Sequence, residues 1–164
     1  MAIVLDSIYD NRKIKINDNV IAEIVKFRQL SIHDNEAGGI LVGREVTTNE
    51  NLIIEFNTVP YPKDVRKRGL FKRKDPKHIE FYNKLYDENF GIYAYVGEWH
   101  THPEKTPSYS SIDMRGWKKN SNDCNKLSET FIYIIVGTED IAVWEYNYVN
   151  KKHDANLLFR GGIT

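Results

Sequence analysis

The chain has 164 residues, with 23 Lys or Arg balanced by 23 Asp or Glu, and a single cysteine, Cys124. That length builds one domain with a substantial core and no covalent staples, the balanced charge carries no signature of a nucleic-acid or membrane partner, and a lone cysteine excludes an internal disulfide framework and fits a reducing compartment. No apolar run approaches a membrane span, and the opening MAIVLDSIYDN has no basic lead into its short apolar stretch, so the expectation is a soluble, cytoplasmic protein.

Taken in chain order, Asn17 or Asp18 is a candidate N-cap for a helix whose apolar stripe is Val20, Ile21, Ile24, Val25 and Phe27. GGILVGREV (38–46) and NLIIEFNTV (51–59) are β-rich and separated by TTNEN, the pattern of a hairpin. A basic segment, expected as a loop, then runs from Pro60 to Pro76. Residues 63–78 hold eight Lys or Arg against two Asp. Such a run is ordinarily a solvated loop; its functional reading is a docking surface for an acidic partner, with Phe71 as the apolar anchor. PKHIEFYNKLYDEN (76–89) predicts a helix with Pro76 near its first turn and Gly91 just past its end. IYAYVGEWHTH (92–102) predicts a strand. SSIDMRGWKKN (110–120) predicts a short helix capped by Ser110 or Ser111. TFIYIIVGT (130–138) and IAVWEYNYV (141–149) predict two more strands, and the tail LLFRGGIT (157–164) is expected to be a flexible terminus. The order implies a mixed sheet flanked by helices, a single α/β layered domain. Trp99, Trp117 and Trp144 read as core aromatics. His33, His78 and His153 lack ligand-spaced partners, and Cys124 has no flanking motif, so none is assigned chemistry.

The stretch VGEWHTHPEKTPSYSSIDMRGW (96–117) concentrates the chemistry. Strand side chains alternate faces, so His100 and His102 share one face while Trp99 and Thr101 take the other. Two imidazoles on one face can hold a zinc ion, and a catalytic zinc takes three protein ligands and leaves a position for water, whose pKa it lowers from near 16 to about 7. Asp113 is the natural third ligand, because the proline-punctuated loop turns the chain back and a helix N-terminus accommodates a carboxylate. Hydrolysis also requires a base near the metal but not bound to it, for which Glu36, opening EAGGILVGRE, is the candidate. Ser110 is either a helix cap or a donor to the oxyanion of a tetrahedral intermediate. Glu98 shares the histidines' strand face by period two and is read as a supporting or substrate-facing group, against a plain surface charge.

EAGGILVG followed by HTHPEKTPSYSSID resembles the JAMM (MPN+/JAB) zinc metallopeptidase family over about residues 18–148. The pattern is a Glu ahead of a G-I-L-x-G strand, His-x-His-Pro, ten residues between the second His and an Asp, and a Ser three before that Asp. The resemblance implies a three-layer α/β/α JAB/MPN (cytidine-deaminase-like) fold, one Zn2+ on His100, His102 and Asp113, Glu36 as general base and Ser110 as oxyanion donor. It also implies peptide or isopeptide cleavage after the C-terminal glycine of a ubiquitin-like protein. Small size and VGEWHTHPE are most similar to bacterial stand-alone members found in ubiquitin-like conjugation and CBASS anti-phage operons, which would make E1- and E2-like proteins partners. Two other functions share parts of the pattern: processing of a sulfur-carrier-protein adduct, and a non-catalytic MPN scaffold.

Overall fold

A computed structural model describes residues 2–123, 130–149 and 152–164. Its elements are β1 (Ile3–Asp6), β2 (Lys13–Ile16), α1 (Asp18–Ile24), β3 (Gly38–Glu45), β4 (Leu52–Asn57), β5 (Val65–Lys67), β6 (Leu70–Lys72), α2 (Lys77–Glu88), β7 (Ala94–Thr101), α3 (Ser111–Asp123), β8 (Thr130–Val136), β9 (Asp140–Val149) and β10 (Lys152–Gly162). Eight strands form one sheet in the order β1-β2-β4-β3-β7-β8-β9-β10. The β2–β4 and β7–β8 pairs are parallel and the rest antiparallel, so the sheet is mixed.

Helices cover both faces. On one, α1 buries Val20 and Ile24 against Ile14, Ile16, Leu41 and Ile54; on the other, Trp117 of α3 with Tyr82 and Leu85 of α2 packs on Ile40, Tyr133 and Trp144. This is the expected α/β/α layering. It also explains why TFIYIIV in β8 is apolar without alternation, since every residue of that strand is buried. The sheet curls until its ends meet: the Ser7 hydroxyl donates to Glu145 Oε1 (2.6 Å), Ile8 N–H to Glu145 Oε2 (2.9 Å), and Arg12 Nη2 to Thr130 Oγ1 (2.6 Å). Among the described residues, no helix is long and apolar enough to cross a membrane.

Three expectations are corrected. The basic segment 60–76 is not a plain loop, because Val65 pairs with Lys72 and Lys67 with Leu70 in a two-stranded hairpin. The tail is not a flexible terminus, because β10 pairs along β9 from Lys152 to Gly162 and Ile163 N–H donates to Glu139 O (2.8 Å). The first helix ends at Ile24, and a 3-10 turn carries Val25 to Phe27. Cys124 lies outside the described residues.

Candidate metal and catalytic site

The site is assembled at the β3–β7 seam. These strands run antiparallel with Gly38 opposite His100, and the pairing continues past the strand end through Thr101 N–H to Ala37 O (2.9 Å). Glu36, one residue further back, is therefore carried to the histidine strand. From the other side, the loop after β7 returns the chain to α3, whose first turn holds Asp113.

Three side chains converge. His100 Nε2 lies 3.0 Å from His102 Nε2 and 3.1 Å from Asp113 Oδ1, and His102 Nε2 lies 3.3 Å from Asp113 Oδ2. A tetrahedral zinc with bonds of about 2.0–2.1 Å sets neighbouring donors roughly 3.3 Å apart. Two imidazole nitrogens and a carboxylate aimed at one another at this spacing fit a shared cation. The charge distribution agrees. Burial pushes Asp113 up, but hydrogen bonds from both histidines outweigh it and hold this carboxyl well below the usual range. Burial pushes the His102 imidazole down, and its bond to Asp113, with the charges of Asp113, Glu36 and Glu104, outweighs that and leaves it raised. Glu104 Oε2 stands 3.7 Å from His102 Nδ1, the ring nitrogen away from Asp113, too far for a hydrogen bond, so that its charge alone acts on the imidazole.

Ser110 and Asp113 cap α3 reciprocally. Asp113 N–H donates to Ser110 Oγ (3.1 Å), while Ser110 N–H (2.6 Å) and its hydroxyl (2.9 Å) donate to Asp113 Oδ2. Ser110 rather than Ser111 is thus the cap. The same bonds fix the rotamer of the carboxylate.

Glu36 is only 6 % exposed. Burial pushes its carboxyl up to about 7; the positive fields of His100 and His102 oppose the shift. The basic hairpin supplies its setting. Glu36 N–H donates to Lys67 O (2.8 Å), Arg66 Nε donates to Glu36 O (2.8 Å), and the Phe71 N–H bonds the carboxylate. Behind it, the Thr101 hydroxyl accepts from Ala37 N–H (3.0 Å) and donates to Gln29 Oε1 (3.1 Å), and Gln29 Nε2 reaches Asp34 O and Arg68 O. Thr101→Val leaves the buried Ala37 N–H without that acceptor and is expected to cost about 1–3 kcal/mol in urea denaturation.

Residues 17–147 match the family described as prokaryotic homologs of the JAB domain. The chain belongs to this family. It is 34 % identical over 133 residues to a "CD-NTase/cGAS isopeptidase" of Escherichia coli (strain TW11681), covering 81 % of each chain. It is 30 % identical over 125 residues to a protein of the same name from Vibrio cholerae, covering 76 % of each. The solution structure of a Desulfitobacterium hafniense protein superposes with a TM-score of 0.54 at 18 % identity, covering 86 % of this chain and 88 % of that one, a likeness of fold.

In this JAB domain, the residues singled out from sequence share one groove of about 490 Å3, lined by Glu36, Phe71, Glu98, His100, Ser110 and Asp113, with His102 buried beside His100. Glu98 is not a free surface charge, for it accepts from Arg73 Nε at 2.9 Å. The Phe71 ring lies over Gly38, where an added Cβ would come within 2.5 Å of Phe71 Cδ1. Sequence reasoning missed Arg73, Glu104 and the hairpin backbone around Glu36. The first two are charged residues whose partners only the fold brings near, and backbone hydrogen bonds leave no mark on residue identity.

Proposed function

We propose that this JAB-domain protein is a zinc-dependent isopeptidase, cleaving after the C-terminal glycine of a ubiquitin-like protein or its conjugate. The observation that carries the reading is the convergence of His100, His102 and Asp113, their donor atoms within 4.8 Å of one another, beside a buried carboxylate. These three residues would hold the ion, whose Lewis acidity polarises the scissile carbonyl and acidifies a water. Glu36 takes the proton from the attacking water on its carboxylate and returns it to the leaving nitrogen. A group titrating near neutrality suits both transfers, and a neighbouring cation favours its charged, accepting form. The Ser110 hydroxyl carries one proton, so donation to the developing oxyanion requires it to turn from Asp113 Oδ2; its exposure on the groove permits that.

The name carried by the relatives supports a conjugated CD-NTase as the target. CBASS-type anti-phage signalling, with E1- and E2-like partners, is the setting that the sequence resemblance implies for it. The test compares protein conjugates in host cells expressing wild type or Glu36→Gln by mass spectrometry. Adducts joined through a C-terminal glycine should accumulate with Glu36→Gln. Identical conjugate profiles would overturn the reading.

Two further outcomes are expected. Ser110→Ala lowers kcat by about 10²-fold through loss of the oxyanion donor and costs about 1 kcal/mol of stability through loss of the cap, with Ser110→Thr restoring the stability. His102→Ala purifies without zinc, and adding zinc raises the melting temperature of wild type but not of His102→Ala, as linkage requires.

A further inference from the structure

The groove carries more cation than the proposed chemistry uses. The chain as a whole has no net charge. Yet Lys72 and Lys74 line the hairpin wall of the groove, and Arg115 and Lys119, one turn apart on α3, line the opposite wall. All four are exposed. None belongs to an ion pair among the described residues. The carboxylates of the groove are already committed: Glu98 to Arg73, Asp113 to the two histidines, and Glu36 to the reacting centre.

A second observation is steric. Gly116 sits inside α3, where glycine is the least favourable residue apart from proline. Among the described residues a Cβ there would meet nothing within 4 Å, so none of them requires the glycine. Gly69, at the tip of the hairpin on the opposite wall, is equally open. Both bare positions face the groove.

We infer that the groove receives an extended, acidic segment of the protein substrate next to its scissile bond. Lys72, Lys74, Arg115 and Lys119 pair with its carboxylates, and Gly116 leaves room for its backbone. The inference rests on the peptidase reading of the site and names the class of sequence the site selects. A peptide fits this surface better than a nucleic acid does. Its carboxylates can be spaced to meet the walls, whereas a continuous phosphate chain would also face Glu36, Glu98 and Asp113 along the groove.

The test is fluorescence anisotropy with zinc-loaded Glu36→Gln, which binds without turning over. The probes are a fluorescein-labelled hexapeptide of alternating Asp and Glu ending in Gly-Gly, and its counterpart built from Asn and Gln. The acidic peptide should bind about tenfold more tightly, with a preference that falls as salt is raised. Adding Lys72→Gln, Lys74→Gln, Arg115→Gln and Lys119→Gln should remove most of that preference. Gly116→Ala, a substitution that favours the helix, should raise the melting temperature yet weaken acidic-peptide binding. Equal affinity for the two peptides, or a preference that survives the fourfold substitution, would overturn the inference. So would tighter binding of a single-stranded oligodeoxythymidine through the same four cations. Because binding is read without cleavage, an acidic preference in a protein that cleaves no conjugate would sink the peptidase reading and leave the surface standing.

Discussion

Glu36→Gln is expected to lower kcat by roughly 10³- to 10⁴-fold, the upper part of what a positioned acid–base group contributes, while zinc remains bound. The same substitution should make the metal-free protein more stable. The Glu36 carboxyl titrates near 7 in the fold against an ordinary 4.5, because burial disfavours its charge. Below about pH 4.5 both the folded and the unfolded chain carry the proton, and the group contributes nothing. Between 4.5 and 7 the unfolded chain loses its proton first, so the fold is destabilised progressively as pH rises, and above 7 the loss is constant. Gln carries no charge, so its advantage is absent near pH 4 and reaches about 3 kcal/mol by pH 8, at 1.36 kcal/mol per unit. Urea denaturation of both metal-free proteins across that range checks the sign, and zinc content measured beside it separates lost chemistry from a lost site. An active Glu36→Gln would show that the carboxylate is not the base, and one that is less stable at high pH would show that it is not a buried strain.

Activity lost and stability gained in one substitution would mark a residue that the fold keeps for function against stability. The rest of the site divides in the same physical way between what neighbours in sequence determine and what the fold determines. Asp113 and Ser110 were legible because they sit within one helical turn, where a cap and an acid three residues later satisfy each other's backbone groups. The pairing of His100 with His102 was legible because they are two residues apart, His102 standing one residue past the end of β7 with its N–H still bonded to Val136 O on the neighbouring strand. Glu36 was legible only as part of a recognised pattern, since its approach to His100 depends on the register of β3 against β7. The hairpin was hidden by its charges: Arg66, Lys67, Arg68 and Lys72 dominate it, and only Val65, Leu70 and Phe71 hint at strands. The four-residue β1 and β2 alternate correctly, burying Ile3, Leu5, Ile14 and Ile16, but are too short to stand out between polar neighbours. β10 escaped notice as a polar edge strand whose partner is the preceding strand β9.

The face on which the histidines emerge was beyond simple alternation, and it sets the second large prediction. Counting by twos from Ala94 and Val96, both in the core beneath α1, would send His100 to that same side. The structure does the opposite, because Trp99 joins that core and His100 meets Asp113 on α3. The phase changes at a β-bulge: Leu41 pairs with Gly97 and Val42 with Tyr95, so Val96 has no partner on β3. Gly97 follows the bulge with φ +152°, and a Cβ on it would stand 1.7 Å from the carbonyl oxygen of Ile132. That oxygen is backbone, fixed in the parallel β7–β8 pairing, and cannot yield as a side chain would. Gly97→Ala is therefore expected to cost 4 kcal/mol or more, roughly the sum of an overpacked contact and a backbone forced from its region. Against a total stability of about 5–15 kcal/mol, much of the protein should be unfolded at growth temperature. Any folded fraction that has relieved the clash by erasing the bulge would turn its histidines towards α1, away from Asp113, and should bind no zinc. Thermal melting followed by circular dichroism, with zinc measured on the soluble fraction, reads both effects. A Gly97→Ala protein that melts like wild type and retains its zinc would mean that the bulge does not aim the histidine strand.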